Sequence, residues 1–513
     1  MLWGSIVTVC LTAVLLGRSV GEGHLLYRDF IAVPDPAFSA RTWGLDAVAP
    51  RAVPLDAVTT TVAMVVPTWL QQQMMLVCTL LLAGLGMTVL LRRHGSPATM
   101  TGAAIATWSP YAGERLLLGQ PPTLLAWSMM PWLVLAVRAR GSRARWLTLI
   151  ALAAAPAALT PFGGTMAAIL AMGVALLERG RQRSGRDLAA LALLGVAWCL
   201  PWLIPAMSGR VEAGQAGGAR AFAIEMSGPL DIVNVLGGGG VWAEGARLAS
   251  RGGVALLATA AVLALSVLGI RQVRGSHRVV LAGMLFLPPA LAMVLTVDGA
   301  NHVWANLQSV PGVGLFRDTH RLLGLSWFAA AILSGIGMAH VVGRAAIGGG
   351  LAAAGLTAAG VALAPLSAPE LASRLTAAYD PVAYPPSFAD VVEQVGRDPV
   401  LILPWNPQRQ VVWAGSYSFL DPFPLALPGR VLTAHDLVVQ RDGQRIPVGN
   451  TDPPQAAGWT TGRLDTEELE RLGITRIVMW KGTPPGVGAT VTGGTWSRLL
   501  ETAEFAVWGR RVP

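Results

Sequence analysis

Charge is scarce in this chain. Only 13% of its 513 residues are Asp, Glu, Lys or Arg, while 53% are hydrophobic and the mean hydropathy is +0.53, which excludes an ordinary soluble enzyme. Cysteine is reduced to Cys10, Cys78 and Cys199, each inside an apolar stretch, so neither a disulfide framework nor a thiol metal site can be built. Every basic residue but Lys481 is arginine, a bias of coding more than of structure. There is no Walker-type phosphate loop, no H-E-x-x-H, no G-x-S-x-G and no C-x-x-C, and the run Gly237 to Gly240 lacks the strand-turn-helix setting of a dinucleotide fingerprint. A nucleotide-driven pump and a zinc protease are thereby disfavoured. The net charge of +9 and pI near 10.4 do not signal nucleic acid, because many of the arginines are scattered through short gaps where they meet anionic lipid.

What the chain has is apolar runs. Segments near 1–17, 74–91, 98–110, 121–138, 146–159, 161–177, 188–206, 254–270, 279–297, 321–342 and 347–366 predict an α-helical polytopic membrane protein of about eleven spans. Fourteen arginines fall in five gaps between them: Arg92-Arg93, Arg138 to Arg145, Arg179 to Arg186, Arg271 to Arg278, and Arg344. These are every second gap, so the positive-inside rule makes them cytoplasmic. Loops 18–73, 207–253 and 298–320 and the tail then face outward across a plasma membrane, with the N-terminus in the cytoplasm. The first run lacks a basic n-region and an A-x-A site, and it reads as an uncleaved span. The second outer loop is rich in glycine and reads as mobile.

Near residue 367 the character changes, giving two expected domains, 1–366 in the membrane and 367–513 outside it. Ser387 with Asp390 predicts a capped helix over 388–396, followed by a strand at Val400 to Leu403. Asp465 with Glu468 repeats the pattern before a strand at Ile474 to Trp480. The tail is expected to be a small α/β domain.

Three polar clusters sit at the outer ends of spans. In Tyr27-Arg28-Asp29-Phe30, Asp29 is placed to accept a hydroxyl proton and Arg28 to pair with a phosphate; a local ion pair that orders the loop is the plainer alternative. Asp35, between Pro34 and Pro36, is a second acid or a turn residue. Glu114 and Arg115 lie in Pro110-Tyr111-x-x-Glu114-Arg115-x-x-x-Gly119-Gln120, either as a functional pair or as a seal on a short hairpin. In Phe316-Arg317-Asp318-Thr319-His320-Arg321 the arginines and histidine suit a phosphate, or anchor the helix to head groups; Asp298, Asn301 and His302 add possible sugar contacts.

These stretches, with the first span followed at once by a long acid-bearing outer loop, resemble the GT-C superfamily of polyprenyl-phosphate-sugar-dependent glycosyltransferases, in particular actinobacterial envelope arabinosyl- and mannosyltransferases. The resemblance implies transfer of arabinose or mannose from a polyprenyl-phosphate donor to an envelope glycan or glycolipid, with inversion. It implies Asp29 or Asp35 as catalytic base, Arg28, Arg115, Arg317 and Arg321 toward the donor phosphate, and Glu114, Asp318 and His320 toward substrate. Many members carry a close acidic pair in the first loop, whereas here Asp29 stands six residues from Asp35. Some members use a divalent metal, for which the scattered acids here give no argument. Two other readings compete. One is a transporter or flippase of lipid-linked sugars, against which no internal repeat is found. The other is an envelope-assembly scaffold, with Trp405, Trp413, Tyr417 and Trp459 either stacking on sugars or filling a core.

Overall fold

The computed structural model describes residues 1–46, 52–178, 184–207, 216–248, 252–310, 312–345, 349–434, 438–441, 443–448, 456–460, 464–483 and 496–510. It divides into two compact units. One holds Met1–Arg18, a short piece at Leu55 and Met74–Ala377; the other gathers the first-loop residues from Ser19, the stretch Asp56–Gln73 and the chain from Ala378. A division at residue 366 therefore leaves the first loop on the wrong side. Its Leu26 and Val33 are buried in the same apolar core as the tail's Val400 and Phe505.

Helices α1 (Leu2–Leu16), α2 (Leu55–Val62), α3 (Thr68–Leu91), α4 (Ser96–Thr107), α5 (Pro110–Leu117), α6 (Pro121–Val137), α7 (Arg143–Ala154) and α8 (Pro161–Leu177) open the chain. Among the described residues seven helices are long and apolar enough to cross a membrane: Leu2–Ser19, Thr68–His94, Gly185–Met207, Gly253–Gln272, Ser276–Val294, Thr319–Ala345 and Gly350–Ser367. The other four expected spans are short, 12 residues in α4 and α7 and 17 in α6 and α8. Twelve residues rise only about 18 Å against roughly 30 Å of hydrocarbon. The cause is local. Ser109 turns out of the α4 path into β geometry and caps α5 by accepting from the Ala112 N–H, and Thr160 does the same for α8 through Gly163.

The helix Leu323–Ala345 is the axis of this unit, with 83% of its most apolar window buried, whereas Gly350–Ser367 buries only 17% of its window. Small residues allow the close approach. A Cβ on Gly269 would lie 2.0 Å from the Leu333 carbonyl oxygen, and one on Gly337 would lie 2.1 Å from that of Leu265. The two helix backbones touch there, and only glycine fits at either position. Apolar side chains that face outward, such as Leu287 on Ser276–Val294 and Leu351 on Gly350–Ser367, are suited to lipid.

The second unit is built on a five-stranded sheet in the order β6 (Trp496–Glu501), β7 (Phe505–Arg510), β5 (Arg476–Trp480), β3 (Val400–Leu403) and β4 (Val431–Leu432). β3 runs parallel to β5 and β4, and β7 is antiparallel to both of its neighbours. Alternation buries both faces: Val400, Ile402, Val478 and Val507 point one way, Leu401, Leu403, Ile477 and Ala506 the other. The helix expected at 388–396 runs Pro386–Val395, but Pro385 is its N-cap and Ser387 instead donates to Glu504 Oε2 at 2.7 Å. Proline's fixed φ favours the first helical turn and moves the start back. Asp465 caps Thr466–Arg471 through the Glu467 N–H, as expected. The first loop joins through β1 (His24–Leu25), which pairs antiparallel with β2 (Pro381–Val382).

Candidate functional site

Two polar constellations emerge, one in each unit. In the helical unit, α5 brings Glu114 and Arg115 to the segment that enters Leu323–Ala345. Successive residues on a helix point about 100° apart, so the two do not seal a hairpin by pairing with each other. Arg115 grips Asp318 in a fork, Nη1 to Oδ2 at 2.6 Å and Nη2 to Oδ1 at 3.2 Å, and also donates to Gln120 Oε1 at 2.9 Å. Glu114 accepts from the backbone N–H groups of Val241 (2.8 Å) and Leu248 (3.2 Å) and lies 3.2 Å from His320 Nε2.

The histidine's tautomer follows from its neighbours. Arg115 directs Nε (3.0 Å) and Nη2 (2.5 Å) at His320 Nδ1, and both are donors, so Nδ1 carries the lone pair and the ring proton sits on Nε2. That proton faces the Gly238 carbonyl at 3.0 Å and Glu114. Tyr111 stacks on the ring at 5.4 Å and 23°. Burial opposes ionisation of Asp318, yet Arg115 and Arg321 overcome it and hold the carboxyl at about 2. Burial likewise opposes the Glu114 carboxylate, and His320 with the two N–H donors brings it below the usual range. Burial pushes the Tyr111 hydroxyl up to about 12.

Arg321 and Arg317 sit at the edge of this network. Arg321 keeps partial exposure, with Nε 3.5 Å from Asp318 Oδ2, and Arg317 lies over the Phe222 ring at 4.3 Å. Of the residues expected to add sugar contacts, Asp298 opens the helix Asp298–Gln308, Asn301 donates to the Leu295 carbonyl, and His302 is exposed.

The sequence reading missed the loop's share. Gly237 to Gly240 suggested slack, but Gly240 accepts from the Glu225 N–H at 2.9 Å and Gly238 delivers its carbonyl to His320. Gly238 has φ +86°, and a Cβ there would fall 1.8 Å from Trp327 Nε1. The glycine is a close-approach residue, a role that a glycine run does not distinguish from a flexible one. Arg247, paired with Glu225 at 2.9 Å, ties the same loop.

In the second unit, Asp29 is exposed at the tip of a tight turn closed by the Phe30 N–H to the Tyr27 carbonyl at 2.8 Å. Arg28 holds φ +49°, the one non-glycine in the left-handed region among the described residues. Tail residues clamp this conformation: the Arg28 N–H donates to the Ser418 carbonyl and the Leu420 N–H to the Arg28 carbonyl, both at 2.9 Å. Tyr27 packs against Tyr379 at 5.2 Å and Tyr417 at 5.1 Å. Asp35 is exposed and sits near His24, whose imidazole burial depresses to about 4 against the pull of that acid. Among the described residues no group of three or more His, Cys, Asp or Glu is placed to hold a metal ion.

No family model matches the chain, and no curated protein does. Among solved structures it is similar to the oligosaccharyltransferase of Archaeoglobus fulgidus, crystallised with zinc and sulfate. The identity is 11%, with 92% of this chain and 68% of that one covered, at a TM-score of 0.36. A likeness this distant carries no argument about reaction.

Proposed function

We propose that the chain is a membrane glycosyltransferase that moves a sugar, arabinose or mannose, from a polyprenyl-phosphate donor to an envelope glycan or glycolipid on the outer face. The observation that carries this reading is the Asp29 turn. A carboxylate is kept exposed on a backbone in a costly conformation, about 1–3 kcal/mol for a non-glycine, that tail strands hold in place, and such strain persists where function uses it. Asp29 takes the proton of the acceptor hydroxyl, that oxygen bonds to the anomeric carbon from the face opposite the phosphate, and the carbon–phosphate oxygen bond breaks with inversion. The polyprenyl phosphate departs as an anion. Arg28, the neighbour of Asp29 in the same unit, is the cation assigned to phosphate because it keeps some exposure. Arg317 and Arg321 are the partly exposed cations of the helical unit. Arg115 is fully buried and engaged, so it is assigned with Glu114, Asp318 and His320 to holding the loop geometry. Asp35 is the alternative base.

The test is transfer from radiolabelled polyprenyl-phosphate mannose and arabinose in membranes holding equal amounts of wild type, Asp29→Asn and Asp35→Asn. Loss of the base is expected to lower the rate by roughly 10²- to 10⁴-fold in the first variant. Unchanged transfer by Asp29→Asn removes that residue from the role, and a loss confined to Asp35→Asn moves the role there.

A further inference from the structure

Four tail aromatics have the character of sugar platforms, and burial separates them. Trp405 and Trp459 are covered, packed on each other at 4.8 Å in the core on one face of the sheet. Trp413 is half-buried between Tyr384 at 5.6 Å and Phe419 at 6.2 Å. Tyr417 alone of the four is exposed, at 36%. It is also the one that reaches the turn carrying the acid: its ring meets Tyr27 at 5.1 Å in a T-shaped contact, and the next residue, Ser418, accepts the hydrogen bond that fixes Arg28. A partly exposed aromatic ring at the turn that carries the carboxylate suits the C–H face of a sugar ring, which buries apolar area while its hydroxyls stay polar.

We propose that Tyr417 is the acceptor platform of the Asp29 turn, packing against the sugar ring whose hydroxyl Asp29 deprotonates. This rests on the glycosyltransferase reading and gives the tail a task in it: the tail both holds the acid in place and supplies the surface that orients its substrate. Tyr417 is a positioning residue, and its hydroxyl takes no part.

The full chain in lipid nanodiscs is probed by saturation-transfer NMR with methyl α-D-mannopyranoside and methyl α-D-arabinofuranoside, alongside acceptor-dependent transfer. Wild type, Asp29→Asn and Tyr417→Phe are expected to saturate the ring C–H protons of at least one probe, and Tyr417→Ala to lose that signal. In transfer, Tyr417→Ala is expected to raise the acceptor KM about tenfold with the donor KM unchanged. Should Tyr417→Ala unfold earlier than wild type, Tyr417→Leu replaces it, keeping bulk while removing the flat ring. Equal signal from the Ala or Leu variant and wild type, or none from wild type, overturns the proposal. A Tyr417-dependent signal in a protein that transfers no sugar leaves the platform standing and sinks the enzyme reading instead.

Discussion

At the scale of single residues, function and folding make opposite demands at Arg28. Its φ of +49° is one that glycine adopts at no steric cost, so Arg28→Gly is expected to hold the turn as well or better, by up to about 1 kcal/mol. If the guanidinium meets the donor phosphate, the same change raises the donor KM while the thermal midpoint stays or rises; a variant with wild-type kinetics would leave Arg28 a purely local role. Asp318 makes the contrary case, a charge that the fold needs. Its carboxyl is held at about 2 against an ordinary 3.8, so the stability it contributes is complete above about pH 4 and lost as pH falls toward 2, roughly 2–3 kcal/mol in all. Asp318→Asn is expected to abolish that slope and to cost about 3–5 kcal/mol at neutral pH, because Arg115 is left buried without its counter-ion. Chemical unfolding at pH 7 and pH 3 checks both. Residue types at the outer ends of spans made this cluster legible in the sequence. Its partners were not, since the backbone groups of Gly238, Val241 and Leu248 carry no mark in a side-chain pattern.

At the scale of elements, the first loop is fastened by a side chain that imitates a strand. The Gln72 amide accepts from the Leu25 N–H and donates to the Leu25 carbonyl, both at 3.0 Å, which is the pairing a neighbouring strand would offer. Gln72→Leu leaves both backbone groups buried and unmet and is expected to lower the local opening energy around Leu25 by about 2–3 kcal/mol, read by amide hydrogen exchange. Exchange as slow as in wild type would mean that β2 alone holds the strand. The adjacent His24 adds pH dependence. Thr68 gives its hydroxyl proton to the Val33 carbonyl and so accepts from His24 Nε2 at 3.0 Å, and burial holds the imidazole at about 4. The unfolded chain takes the proton first, so this contribution is whole above about pH 6.5 and lost on descending to pH 4, about 3 kcal/mol, a window separate from that of Asp318. Periodicity revealed the long helices and the strands Val400–Leu403 and Arg476–Trp480 almost to the residue. It could not reveal the joining of loop and tail, because β1 and β2 are two residues each and their pairing spans more than three hundred positions.

At the scale of the whole molecule, that pairing constrains the membrane crossing by itself. Since His24–Leu25 and Pro381–Val382 share a sheet, the loop and the tail lie on one side of the bilayer, and the number of crossings between them is even. Six of the seven long helices lie between these strands, so an even number of α4, α6, α7 and α8 cross; that is met when α4 with α6 and α7 with α8 go as pairs, both crossing or both turning back. With those pairings the five arginine gaps fall on the side opposite the tail, whether a pair of 12- and 17-residue helices spans or turns back. Parity sets the sides apart, and by the positive-inside rule the side that carries the arginines is expected to be the cytoplasmic one. A variant lacking Cys10, Cys78 and Cys199 and carrying Ser142→Cys or Ser416→Cys is expected to show this with an impermeant maleimide: Ser416→Cys reacts in intact cells, Ser142→Cys only after permeabilisation. Labelling of both from one side would mean that α7 and α8 do not cross or turn back together, and would overturn this pairing. Labelling in the reverse order would preserve the fold but put Asp29 in the cytoplasm, where transfer to an envelope acceptor has no substrate.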